Sequence, residues 1–263
     1  MTVDVRRESF LSTPSPQPAG QRRDSIDPLA LYAAAIDTSD YVARIAPLIR
    51  RRVPAVGELL DVGAGGGQLG SALIGRDHPW TAIEPSATMR ARLVRLQHPP
   101  TIVAAGWETA EVEAGRHDTV LAATMPAFFE QPEAFLARCR AWARSAVVWI
   151  VPAHAGPRGL CFAGCLPTAW HGEDETPGIE VVMRGLSPDE RPREIAFVDW
   201  TFSGVVPDLV ELAGYLSDRL DWPASDDRRR QMAAHLAAQA THDVAGFRLN
   251  IPRKSAVLVW GSS

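Results

Sequence analysis

Apolar positions fall first at helical and then at strand spacing along this chain. "DPLALYAAAI" (27–36) opens with Asp27 and Pro28, a cap and first-turn pair that predicts a helix. In "TSDYVARIAPLIRRRV" (38–53), Val42, Ile45 and Ile49 predict a second helix, with Pro47 as a point for a kink and Arg50 to Arg52 as a solvated end. "GELLDV" (57–62) is a continuous apolar run, the pattern of a strand buried on both faces. Strand and helix patterns then alternate: helix at "QLGSALIG", strand at "WTAIE", helix at "SATMRARLVRLQ", strand at "TIVAAG", strand at "DTVLAA", helix at "QPEAFLARCRAWAR", strand at "SAVVWIV". In the second of these helices Ser86 is the cap, and Met89, Leu93 and Leu96 share a face. Such alternation predicts a parallel, doubly wound α/β sheet.

The alternation stops at residue 154. Residues 154–192 are rich in Gly and Pro and read as an irregular insertion with short helices. "REIAFVDWTF" returns to a strand. Two helices follow, the first with Leu209, Leu212, Ala213, Leu216 and Leu220 on one face, and "KSAVLVWGSS" closes the chain as a strand. The order of elements predicts a seven-stranded mixed sheet whose last strand is antiparallel to its neighbours. Residues 27–263 read as a single domain, with 154–192 and 205–252 as insertions on the substrate side and 205–252 as a helical lid. Residues 1–26, rich in Pro, Ser, Gln and Arg, read as a mobile arm without the apolar core of a secretory signal.

The chemistry concentrates in "LLDVGAGGGQLGS" (59–71), an aspartate at the end of a buried strand followed by four glycines. Such a turn lets backbone approach a ligand closely and aims free N–H groups at it. A dinucleotide loop would place a third glycine where Gln68 stands. The spacing Asp61-x-Gly63-x-Gly65-x-Gly67 instead resembles the first motif of the class I methyltransferases that use S-adenosylmethionine. "TAIEPS" puts Glu84 at the end of the second strand, where a carboxylate accepts paired hydrogen bonds from a ribose diol.

The resemblance is close over residues 57–151 and implies a Rossmann-like fold. It implies methyl transfer from S-adenosylmethionine to a small-molecule acceptor by in-line displacement. Cofactor contacts are then expected at Asp61, Gly63, Ala64, Gly65, Gly67, Glu84, Pro85 and Met89. Trp107 and Glu108 are expected over the adenine, and Ala123, Thr124 and Met125 beneath the sulfonium. Packing is the rival reading for Trp107, Thr124 and Met125. His154 and His171 are candidates for a general base or are structural residues. Tyr32 and Tyr41 read as packing residues on helices that cover such sites. Phe128, Phe129, Trp170 and Trp200 are available for an apolar pocket wall.

Composition narrows the rest. A net charge of -4 and "TMPAFF" after the fourth strand, without an amide or carboxylate at its head, argue against nucleic acid. No run approaches the ~20 apolar residues of a membrane span. Three cysteines, an odd number, suit a reduced, cytoplasmic protein. Cys161, Cys165 and His171 fall short of a metal-ligand set, and no metal is expected. Two rival functions stay open: a cofactor-binding or regulatory module without turnover, and a nicotinamide-dependent oxidoreductase.

Overall fold

The computed structural model describes residues 26–75, 78–124, 130–159 and 161–261. Met125, Phe128 and Phe129 and the arm 1–25 lie outside the described residues.

The first strands are β1 (Leu59–Val62), β2 (Trp80–Ile83), β3 (Thr101–Val103), β4 (His117–Ala123) and β5 (Ala143–Pro152). They are followed by β6 (Glu194–Val206), β7 (Thr241–Asp243) and β8 (Gly246–Gly261). They form one sheet in the order β3-β2-β1-β4-β5-β8-β6, and β7 pairs with β8. Strands β1 to β5 pair in parallel, and β8 runs antiparallel to both β5 and β6. The expected doubly wound, mixed sheet is therefore present. The expected path of seven strands carries one short addition, β7, which the Gly246 turn folds back onto β8.

Each face of the sheet carries its own apolar core, so strand residues are buried in alternation on two sides. Along β8, Val257 and Val259 join one core, while Ala256, Leu258 and Trp260 join the other. The first core is covered by α1 (Pro28–Thr38), α2 (Tyr41–Arg52), α3 (Gln68–Leu73), α4 (Ala87–Leu93), α8 (Leu209–Arg219) and α9 (Asp227–Ala237). The second is covered by α5 (Pro132–Trp142) and α7 (Gly178–Arg184), with the short α6 (Thr168–His171) in the same insertion as α7.

Local signals explain several starts. Asp27 caps α1 by accepting from the Leu29 N–H at 2.9 Å and the Ala30 N–H at 3.3 Å, and Ser86 caps α4 by accepting from the Met89 N–H at 3.3 Å. Asp208 caps α8, whose apolar stripe is buried at Leu209, Leu212, Ala213 and Leu216.

The last hairpin departs from expectation. β6 and β8 continue pairing to Val206 and Phe247, so the helical excursion spans 207–245 and the closing strand begins at Gly246, not Lys254. Pro252 does not end the strand. It lies beyond Ser255, the last residue of β8 that β5 pairs, so β8 is free on that side. The longer hairpin gives α1 and α2 a seat: the Ser203 N–H donates to Ser39 Oγ at 2.8 Å and the Thr201 N–H to Asp40 Oδ1 at 2.6 Å.

Candidate functional site

The glycine turn after β1 is built by backbone angles that side chains resist. Gly63, Gly65 and Gly67 have φ of 67°, 56° and 77°. Nothing lies within 4 Å of a Cβ built on Gly65, so its surroundings are open. A Cβ on Gly67 would stand 2.5 Å from Leu93 Cδ2, so this glycine lets α3 and α4 pack.

Glu84 fixes the turn. It is buried at 4% exposure, and its two oxygens accept from the Gly65 N–H at 2.8 Å and the Ser86 N–H at 2.7 Å. A carboxylate oxygen has two lone pairs, so one on each oxygen remains for a ligand. Asp61 is 3% exposed. Burial, with the neighbouring Glu84 charge second, raises its pKa to about 7 against the opposing Gly70 N–H.

These groups open onto a cavity of about 400 Å³ at the carboxyl ends of the parallel strands. Of the expected cofactor contacts, Asp61, Gly63, Ala64, Gly65, Glu84, Pro85, Met89, Ala123 and Thr124 line it together. Gly67, Trp107 and Glu108 are not in its wall. Trp107 packs edge-on against Phe135, ring centroids 5.2 Å apart, on the far core. Thr124, at the tip of β4, holds φ of 53°, an outlier for a β-branched residue. Its Oγ1 lies 3.4 Å from Tyr32 Oη.

All three tyrosines of the chain, Tyr32, Tyr41 and Tyr215, line the cavity. They sit on α1, α2 and α8, outside the alternating core of the fold. Tyr41 is 4% exposed, and its hydroxyl has no hydrogen-bond partner among the described residues. That hydroxyl is sealed from solvent, and Thr124 is its polar neighbour. Phe162, Trp200 and Phe202 supply apolar wall, whereas Trp170 packs on Trp222 and His235 away from it.

His154 lines the cavity and His171 does not. An Arg253 Nη1 lies 2.9 Å from His154 Nε2. Arginine only donates, so Nε2 accepts and Nδ1–H donates to the Lys254 carbonyl at 3.0 Å. Burial holds the His154 pKa below its ordinary value, in keeping with a neutral ring. His171 Nδ1 accepts from the Glu173 N–H at 3.1 Å, and its Nε2 faces Glu175 at 3.3 Å. The His154 ring is thus engaged at both nitrogens, whereas His171 is held at Nδ1 and its Nε2 meets no hydrogen-bond partner among the described residues. The three cysteines are free, and no group of three or more His, Cys, Asp or Glu among the described residues could hold a metal ion.

Sequence reasoning missed Arg253, Tyr215 and Phe162 as cavity residues. Arg253 left a signal: it interrupts the alternating run Leu249, Ile251, Val257, Val259 that buries in one core. Phe162 and Tyr215 reach the cavity only through the packing of the two insertions.

A glycine turn between β1 and α3, an acidic residue at the tip of β2, and a cleft at the carboxyl ends of a parallel sheet define a nucleoside-binding α/β fold. Residues 60–149 match the model of the methyltransferase domain family. That match supports S-adenosylmethionine-dependent methyl transfer as the activity. No curated protein matches in sequence. Among solved structures, the chain is similar to the YcgJ protein of Bacillus subtilis at 13% identity and TM-score 0.48, covering 82% of this chain and 97% of that one. It is also similar to magnesium protoporphyrin IX methyltransferase from Synechocystis, solved with its cofactor, at 12% identity and TM-score 0.42, covering 92% and 86%.

Proposed function

We propose that the methyl acceptor is a small molecule, held with the cofactor in the single cavity described above. The observation that carries this reading is the cavity's construction. Its floor is the motif-bearing strand ends, and its other walls come from α1, α2, α8, the 154–192 insertion and the β6–β8 hairpin. A space of about 400 Å³ walled by side chains from several separate segments suits a small molecule better than a polymer.

In this reading Glu84 binds the ribose diol with its two remaining lone pairs, and the glycine turn approaches the ligand's backbone-facing side. The open space at Gly65 fits that role. Asp61 supplies negative charge for a cationic cofactor. S-adenosylmethionine brings an electrophilic methyl group on a sulfonium. The protein's part is to exclude water and to align the acceptor in line with the methyl–sulfur bond. Tyr32 and Thr124 stand at the tip of β4, where the acceptor would approach. His154 and His171 have no lone pair to spare, so neither is assigned a proton.

Among the described residues no helix is long and apolar enough to cross a membrane. The cytoplasmic location expected from the cysteines belongs to the same proposal.

The test is transfer of tritium from methyl-labelled S-adenosylmethionine, with the full chain, into a fractionated pool of metabolites and separately into RNA and DNA. Label in a metabolite fraction is expected. Label in nucleic acid only would overturn the reading. Cofactor binding without transfer to any pool would favour the module without turnover.

A further inference from the structure

Two cations of the cavity wall, Arg219 and Arg253, form no ion pair among the described residues, and Arg219 is exposed on α8, which leaves Arg253 as the half-buried one. Arg253 lies on β8 opposite Trp200 of β6, on the face that buries Ile251 and Val257. It is half-buried and lines the cavity. Burial lowers its pKa, the signature of a desolvated cation. No carboxylate among the described residues pairs with it directly, and Glu173 acts on it only through space, against the effect of burial. The neighbouring cations are already engaged: Arg158 pairs with Asp174 at 2.8 Å and Lys254 with Asp199 at 3.4 Å.

The hydrogen bonds of Arg253 are one-sided. Nη1 serves His154 Nε2 at 2.9 Å and the Pro157 carbonyl at 3.4 Å. Nε and Nη2, the edge that would face a carboxylate side-on, have no partner among the described residues. His154 acts here as a positioning residue, since its lone pair holds one arm of the guanidinium. A desolvated, unpaired cation is costly unless a ligand anion completes it. A guanidinium edge with two parallel N–H groups matches a carboxylate in geometry.

The cofactor has a carboxylate of its own, but the site expected for its ribose is distant. Glu84 follows β2, and Arg253 is on β8, four strand spacings away in the sheet order, about 19 Å at ~4.8 Å each. Around Arg253 the wall is aromatic: Tyr32, Phe162, Trp200, Phe202 and Tyr215 line the same cavity.

We propose that Arg253 binds a carboxylate on the methyl acceptor, and that the acceptor is an apolar, ring-bearing carboxylic acid. This rests on the small-molecule methyl-transfer reading above. The anionic end sits on Arg253 beneath β8, the ring lies among the aromatic side chains, and the nucleophile points toward Thr124.

The test is calorimetry on the full chain saturated with S-adenosylhomocysteine. The probes are 4-hydroxybenzoate and indole-3-carboxylate, each against its neutral amide. The acids are expected to bind about tenfold or more tightly than the amides, the scale of hydrogen bonds to a charged group. Arg253→Met should erase that preference, and Arg253→Lys should keep part of it. Binding of S-adenosylhomocysteine should be unchanged in both variants. Equal binding of acid and amide, no binding of either acid, or an acid preference that survives Arg253→Met overturns the proposal. Weakened S-adenosylhomocysteine binding in Arg253→Met overturns it too, because the guanidinium would then serve the cofactor. These wild-type comparisons stand even where a variant fails to fold. Failure of the wild type to bind S-adenosylhomocysteine at all would instead remove the cofactor site on which both readings rest.

Discussion

Asp61 is the residue whose placement costs most and explains most. It sits at the end of a fully buried strand, and its carboxyl titrates near 7 rather than near 4. The sign of the consequence is fixed by linkage. The folded chain holds the proton that the unfolded chain gives up. The contribution to stability is whole below about pH 4 and is lost as pH rises toward 7. A cationic ligand favours the ionised form and lowers that pKa, so binding releases the proton below pH 7. Cofactor affinity is expected to rise with pH up to about 7 and level off above it. In Asp61→Asn this rise should vanish, and the free protein's thermal midpoint should gain on the wild type between pH 5 and 8. Calorimetry and thermal melts across that range check both; a wild-type affinity independent of pH would contradict the assignment. Asp61 and Glu84 were legible in the sequence because both lie within a few residues of the strand ends that place them. Arg253 was not, since its role depends on the pairing of β8 with β6 and β5. Trp107 misled because the chain after β3 turns it to the far core, where Phe135 receives it.

At the scale of elements, the alternation of strand and helix from β1 to β5 was readable because each element carries its own period. Sequence alone starts the closing strand at Lys254, whereas its register with β6 runs back to Phe247. The insertion 154–192 is held to that hairpin by Phe162, which is 1% exposed and has φ of 67°. A methyl group added at Gly204 would stand 2.1 Å from Phe162 Cζ. Gly204→Ala is therefore expected to dislodge the ring and loosen the aromatic end of the cavity. The expected outcome is acceptor KM raised several-fold with cofactor affinity unchanged, in a protein destabilised by about 1–3 kcal/mol. Steady-state kinetics beside urea denaturation checks this, and an unchanged KM would place the ring outside the acceptor's reach.

For the whole molecule, one sheet edge carries the account. The parallel strand ends hold the motif residues, and the segments outside the alternating pattern close over them. Tyr32 and Tyr41 come from the N-terminal helices, Tyr215 from the excursion 207–245, and all meet at one cavity. No spacing in the sequence could show that meeting, because three separate chain segments contribute. From the excursion expected as a lid, α8 sends Tyr215 and Arg219 to the cavity wall. The central claim is that S-adenosylmethionine binds at the glycine turn with Glu84 on its ribose. Calorimetric titration of the full chain and of Glu84→Ala with S-adenosylhomocysteine tests it most directly. One ligand per wild-type chain is expected, with affinity weakened by about 1.5–3 kcal/mol in a folded Glu84→Ala. Unchanged affinity in that variant, or binding of NADH in place of S-adenosylhomocysteine, would contradict it.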